Sequence, residues 1–161
     1  MPPRTWNVEP ISDDDLAEVL ELNQLYQKQL SSLTMAQLRA LRDNSSYHRS
    51  IEGGKAFIIA LDDRSAHDGE NFRWFKQRFD SFVYIDRIAI GESLQRRGLA
   101  AALYQDLEQE ARSTCRQYLC AEVGLEPPNE ASLQFHDGLG FRRVGIGAAA
   151  GKTVQYFAKT I

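Results

Sequence analysis

Cysteine is scarce in this chain. There are two, Cys115 and Cys120, and they do not make a CxxC pair. Neither a disulfide framework nor a cysteine zinc site is expected, only reduced, packed thiols. The three histidines, His48, His67 and His136, are scattered, with no HxxxH or HExxH spacing, so no metal site is expected. Long apolar runs are also missing. Ala56-Phe57-Ile58-Ile59-Ala60-Leu61 is among the longest and is far too short to cross a bilayer. The opening Met-Pro-Pro-Arg-Thr-Trp-Asn shows no apolar secretory segment. These absences give the expectation of no membrane association and a cytoplasmic location. An excess of positive charge is missing too. The formal net charge is −3, which disfavours a nucleic-acid partner, because a duplex binder needs a broad basic face. Repeats, low-complexity tracts and linkers are absent.

What is present suits one folded domain over 1–161. The 161 residues are 43% hydrophobic and 25% charged, ordinary values for a chain able to bury its own core. Ser12 followed by three acids marks a helix start, with Leu16, Val19, Leu20, Asn23 and Tyr26 at helical spacing. Thr34-Met35-Ala36-Gln37 is a capping box for a second helix through Leu41. Residues 56–61 read as a buried strand, and 62–70 as a loop. Residues 71–79, dense in aromatic and basic side chains, read as a short helix or lid. Residues 82–90 and 118–123 are strands, rich in aromatic and β-branched residues. Between them Leu99, Leu103, Leu107, Ala111 and Cys115 form an i+4 row on a helix over 98–117. Asn129 caps a further helix to about His136. Gly140 ends it, Phe141 opens a last strand region, 145–153 is a loop, and 154–158 is the closing strand. The fold class is α/β with a mixed sheet.

One connection carries chemistry. The strand Ile88-Ala89-Ile90 passes through Gly91-Glu92-Ser93-Leu94 and Gln95-Arg96-Arg97-Gly98-Leu99-Ala100-Ala101 into the long helix. Such a turn presents free backbone N–H groups, and the helix dipole adds partial positive charge. Gly98, Ala100 and Ala101 are small, and Arg96 and Arg97 add charge. A diphosphate suits this cradle; a plain turn with a solvated arginine pair is the competing reading. The turn lacks the Lys-Ser/Thr of a P-loop and the three glycines of a dinucleotide fold.

The spacing Gln-x-x-Gly-x-Ala after an aliphatic strand resembles motif A of the GNAT superfamily, the acyl-CoA-dependent N-acyltransferases. Downstream, Asn129 through Phe141 resembles that family's Asn-x-x-Ala-x-x-x-Tyr-x-x-x-Gly-Phe segment, and Glu122-Val123 resembles its fifth strand. The resemblance covers residues 82–144. Ala100 replaces the commoner second glycine, and His136 stands where most members have Tyr.

The resemblance implies a central mixed sheet splayed into a V and flanked by helices. It implies acetyl-CoA as acyl donor, its diphosphate on N–H groups from Arg96 to Ala101 with Gln95 in the same motif. Main-chain groups of Ile88 and Ile90 would hold the pantetheine, the Ile88 N–H near the thioester oxygen. The Asn129 side chain would touch the cofactor arm or cap its helix. Family members often form homodimers, although no residue here points to one.

In the expected chemistry a base takes a proton from an ammonium, the amine attacks the thioester, and CoA leaves as a thiolate. Glu122 and Asp86 are the candidate bases, with Glu126 an outsider; either of the first two can instead be a structural partner of a cation such as Arg87. A carboxylate in an apolar strand needs a partner or a function. His136 is the candidate acid at the thiolate, or a packed side chain. The acceptor site is expected from the N-terminal helices, 71–79 and 145–153. Arg73, Lys76 and Arg78 would suit an anionic acceptor, Trp74 and Phe75 an apolar one. A small amine or amino acid is the favoured acceptor. A protein N-terminus or lysine, or a non-catalytic acyl-CoA-binding module, are the alternatives.

Overall fold

The run from Ala56 to Leu61 has no polar alternation, and it forms the buried part of strand β2 (Ala56–Asp62). This computed structural model describes residues 5–161. The other strands are β1 (Tyr47–Ile51), β3 (Phe82–Ile90), β4 (Tyr118–Gly124), β5 (Arg142–Ala149) and β6 (Lys152–Thr160). The helices are α1 (Leu16–Leu25), α2 (Met35–Asn44), α3 (Glu70–Lys76), α4 (Leu99–Ser113) and α5 (Glu130–Gly138). The strands order as β1-β2-β3-β4-β6-β5 in one sheet. It is mixed: β3 and β4 run parallel, whereas β1/β2, β4/β6 and β5/β6 are antiparallel. The α/β class is therefore as expected.

The chain divides into two compact units, one of residues up to Ala60 with Arg87–Leu107, the other of Leu61–Asp86 with Glu108–Ile161. In the first, α1 and α2 pack Leu16, Val19, Leu22 and Leu38 against Phe57, Ile59 and Ala89. The capping box at Thr34 forms as read. Thr34 Oγ1 accepts the Gln37 N–H at 3.1 Å, and Gln37 Oε1 accepts the Thr34 N–H at 2.9 Å. Strand β1 was not expected, since Tyr-His-Arg-Ser-Ile has little apolar content; its pairing with β2 over Tyr47↔Ala60 to Ile51↔Ala56 makes it a strand.

In the second unit, β3 and β4 are in register over Phe82↔Tyr118, Val83↔Leu119 and Tyr84↔Cys120. The ladder stops there, although both strands continue. Helix α4 ends at Ser113, earlier than the i+4 row suggests. Cys115 takes φ +61°, and the Arg116 N–H returns to the Ala111 carbonyl at 2.9 Å, a left-handed stop made without glycine.

The expected loop over 145–153 is corrected. Most of it is strand, closing on a two-residue turn at Ala150 and Gly151, with φ of +51° and +75°. Gly-Ile-Gly-Ala-Ala-Ala-Gly has little strand propensity, so the sequence hid this hairpin. Its glycines answer to packing. A Cβ on Gly145 would lie 2.7 Å from a ring carbon of Trp74, and one on Gly147 would lie 2.5 Å from a ring carbon of Tyr156.

Candidate active site

Strand β3 delivers the anion turn. The Gly91 N–H bonds to the Lys55 carbonyl at 2.8 Å, so main-chain groups of Gly91 face β2. By the alternation of a strand, those of Ile90 and Ile88 face the opposite way. A 3₁₀ turn over Glu92–Leu94 follows, and then Gln95 is extended. Arg96 and Gly98 take φ of +63° and +76°. The Gly98 carbonyl accepts the Ala102 N–H at 3.0 Å and opens α4. The N–H groups of Leu99, Ala100 and Ala101 therefore have no helical carbonyl behind them. Gln95, Arg96, Arg97, Gly98 and Ala101 are exposed, while the buried Leu99 side chain anchors the turn. A Cβ on Gly98 would meet nothing within 4 Å. The space over it is open, and its left-handed φ keeps it free of a side chain. Alternating left-handed residues and a helix N-terminus together turn main-chain N–H groups toward one open space, an arrangement whose dipoles favour an anion.

The Gln95 side chain holds this turn in place. Its Nε2 donates to the Tyr26 hydroxyl at 2.6 Å and to the Ile90 carbonyl at 3.0 Å. The Tyr26 hydroxyl in turn donates to the same carbonyl at 3.2 Å. Sequence reading placed Tyr26 on the first helix but missed this contact, since it lies 69 positions from Gln95.

The candidate bases lie in the second unit. Tyr84 pairs with Cys120 across β3/β4, so the two-residue period puts Tyr84, Asp86 and Glu122 on one face. Glu122 faces Tyr156 across β4/β6. The Tyr84 hydroxyl donates to Glu122 Oε1 at 2.8 Å. Part of the residue is solvent-accessible, but Oε2 is buried and has no partner of good geometry. The Asn71 side chain still favours the charged form by hydrogen bonding, and its Oδ1 accepts from the Tyr156 hydroxyl at 2.9 Å. Burial dominates, and pushes the Glu122 carboxyl up to about 8; the charge of Asp86 adds to the rise, and Tyr84 opposes it.

The Asp86 side chain is 8% exposed, with His67 Nε2 3.7 Å from its Oδ1. Helix α3 covers this face. The Phe72 ring lies edge-on to Tyr84 at 5.8 Å, and Trp74 stacks on Tyr156 at 4.1 Å. The structure thus brings Asp86 and Glu122 together and adds Tyr84, Asn71, Tyr156 and His67. Four separate segments supply these, so no local motif announces them. Arg87 donates instead to Asn23 Oδ1 at 2.8 Å and to the Ser31 carbonyl at 3.1 Å.

His136 has other surroundings. It is 4% exposed on α5, its Nδ1 donates to the Ser132 carbonyl at 2.8 Å, and its ring stacks on Phe157 at 5.1 Å. Burial lowers its pKa and favours the neutral ring. Asn129 Oδ1 accepts the Ser132 N–H at 3.3 Å, so this side chain caps α5. Glu126 Oε1 accepts from the Thr153 hydroxyl at 2.7 Å. Of the acceptor candidates, Phe75 is in the core and Arg73 is exposed. Lys76 Nζ donates to the Ser65 carbonyl at 3.3 Å, and the Arg78 guanidinium lies 4.2 Å from the Trp74 ring centre.

Among the described residues no group of three or more His, Cys, Asp or Glu is placed to hold a metal ion, and no helix is long and apolar enough to cross a membrane.

Residues 22–141 match the sequence model of the acetyltransferase (GNAT) family. No curated protein sequence matches the chain. Several solved structures share its fold. The ribosomal-protein-S18-alanine N-acetyltransferase from Escherichia coli superposes with a TM-score of 0.71 at 17% identity, covering 98% of this chain and 94% of that one. NAA60 from Arabidopsis thaliana, solved in complex with acetyl-CoA, gives 0.72 at 17% identity, covering 98% and 100%. The IAA acetyltransferase from Bacillus cereus gives 0.65 at 14% identity, covering 98% and 100%.

Proposed function

Since the chain belongs to the acetyltransferase (GNAT) family and is an N-acetyltransferase, we propose that it moves an acetyl group from acetyl-CoA to the primary amine of a small molecule or amino acid. The observation that carries this reading is Glu122, a partly buried carboxyl beside Asp86 and Tyr84 whose proton affinity is raised to about 8. That matches a base working near neutral pH on an ammonium.

The turn at Gln95–Ala101 fits the donor's diphosphate. It offers the N–H groups of Leu99, Ala100 and Ala101, open space over Gly98, and the exposed charges of Arg96 and Arg97. Gln95 serves by holding the turn. Ile88 and Ile90 serve through main-chain groups. The Ile88 N–H stabilises the oxyanion, a contribution of about 3 kcal/mol for one such donor. The Ile90 carbonyl already accepts from Tyr26 and Gln95, which leaves its N–H for the pantetheine. The Asn129 Oδ1 caps α5, and its amide N–H groups are the part offered to the cofactor arm.

The reaction is direct. Glu122 takes one proton from the ammonium. The freed amine attacks the thioester carbon, a C–N bond forms, and the C–S bond breaks. The second proton on nitrogen passes to the departing thiolate. A thiol has a pKa of about 8.5, so the sulfur leaves without a dedicated acid. We place His136 in a packing role, because burial favours its neutral form. Holding donor and acceptor together supplies much of the rate.

Helix α3 supports a small acceptor. Phe72 and Trp74 lie over the carboxylate face, which suits a closed pocket better than an open peptide groove. A thiol-release assay with an amine library and a peptide library tests this. Release with small amines and not with peptides is expected. Release only with peptides would move the acceptor to proteins. Tight acetyl-CoA binding without release from any amine would make the chain a binding module.

A further inference from the structure

Glu122 must lose the proton it gains before it can serve another amine, and of its carboxyl the Oε2 is buried while Oε1 accepts from the Tyr84 hydroxyl. We infer that His67 passes this proton to solvent by way of Asp86. The inference rests on the base assignment made above.

The geometry supplies a path outward from Asp86. Glu122 and Asp86 share one face of β3/β4, the Asp86 side chain is 8% exposed, and the His67 side chain is 30% exposed, 3.7 Å from Asp86. That separation is ion-pair distance, just outside a direct hydrogen bond. Two features hold the imidazole there. It lies edge-on against Phe72, with ring centres 5.6 Å apart. Residue 69 is glycine, and a Cβ at that point would lie 2.6 Å from His67 Nε2. The loop can close over the ring only because no side chain intervenes.

Among the described residues, the charged and titratable groups facing this path come from several elements, with Arg78 and Glu70 bearing on Tyr156. Asp86 comes from β3 and Glu122 from β4, with the Tyr84 and Tyr156 hydroxyls beside Glu122 and Asn71. From α3, Lys76 places its Nζ 5.8 Å from the Phe72 ring centre and donates to the Ser65 carbonyl.

The proton count balances. Glu122 takes one proton from the ammonium, Asp86 receives it, and His67 Nε2 accepts it. The partly exposed imidazole then releases it to water or buffer. No electrons move. The net reaction of ammonium and thioester to amide and thiol sets free one proton, the one carried here.

The test uses the full chain, acetyl-CoA, and the library amine giving the fastest wild-type release, in weakly buffered solution. His67→Gln and His67→Asn should lower kcat at least about tenfold, with the KM for acetyl-CoA unchanged. Added imidazole should restore turnover in both and leave wild type unaffected. Gly69→Ala, which pushes the ring from Asp86, should show the same rescue with His67 intact. Wild-type kcat in the His67 variants, or a loss that imidazole does not restore, would overturn the relay. Glu122→Gln and Asp86→Asn run alongside: wild-type turnover in both would remove the base assignment instead. An acceptor-free measurement completes the test. The NMR shift of His67 Cε1–H should report the ionisation of Glu122 as an inflection near 8 that vanishes in Glu122→Gln. No inflection near 8, or one unchanged by Glu122→Gln, would also overturn the relay.

Discussion

The turn at Gln95–Ala101 stands exposed at the head of α4, whereas Glu122 is partly buried, with Oε2 covered and Oε1 bonded to Tyr84. The turn is built from the main chain: left-handed φ at Arg96 and Gly98, and helix N–H groups with no partner behind them. The carboxylate pocket is built from side chains that converge from β3, β4, β6 and α3. A diphosphate is a large, doubly charged anion that arrives with its own water, so an open, prearranged row of dipoles suits it. A proton is handed over one atom at a time, and its acceptor works best when burial has tuned its affinity. On the proposed roles, exposure serves the first region and partial burial the second.

The contrast can be broken most sharply at Glu122. Replacing it with Gln should lower kcat by roughly 10²–10⁴-fold and leave acetyl-CoA affinity intact. In wild type kcat/KM should rise with pH through about 8, because Glu122 must be ionised to act, and the rise should disappear in the variant. A small kcat effect with an unchanged pH profile would strip the pocket of its role.

The same burial carries a cost in stability. The folded chain holds Glu122 neutral up to about 8, against 4.5 for a free glutamate. Folding therefore takes up a proton between those values. The stability is complete below 4.5 and falls as pH rises to about 8. Thermal unfolding at pH 9 should find Glu122→Gln more stable than wild type by on the order of a few kcal/mol. The advantage should fade toward pH 4.5.

Smaller effects belong to the turn, where many weak donors share the load. Arg97→Glu should cost at least about tenfold in acetyl-CoA affinity, about 1.4 kcal/mol. Calorimetry showing wild-type affinity in the folded variant would end the cradle assignment. Gly98→Ala should destabilise the chain by about 1 kcal/mol through its left-handed φ, with no clash to relieve. Chemical denaturation measures it.

The two regions also differ in how far the sequence discloses them. Gln95 through Ala101 is contiguous, and its chemistry depends on glycine freedom and a helix start, both local properties. Strand β3, helix α5 with its Asn129 cap, and the capping box at Thr34 were legible for the same reason. Strand β1 and the β5/β6 hairpin were not. Tyr47–Ile51 is a strand because of its pairing with β2, and Gly145 and Gly147 are small because Trp74 and Tyr156 press on them. The early end of α4 escaped notice because Cys115, not a glycine, takes the left-handed φ.

By itself, then, the sequence determined the α/β class, the strand-turn-helix connection and the family, since each rests on periodicity or spacing along the chain. It also named Asp86 and Glu122 as carboxylates out of place in apolar strands. Only the tertiary structure decided what those carboxylates became. The burial that raises Glu122, the Tyr84 hydroxyl at its oxygen, the lid of α3 and the reach of His67 to Asp86 all join residues distant in sequence. Proton affinity is set by the surroundings of a group in space, and those surroundings exist only once the chain has folded.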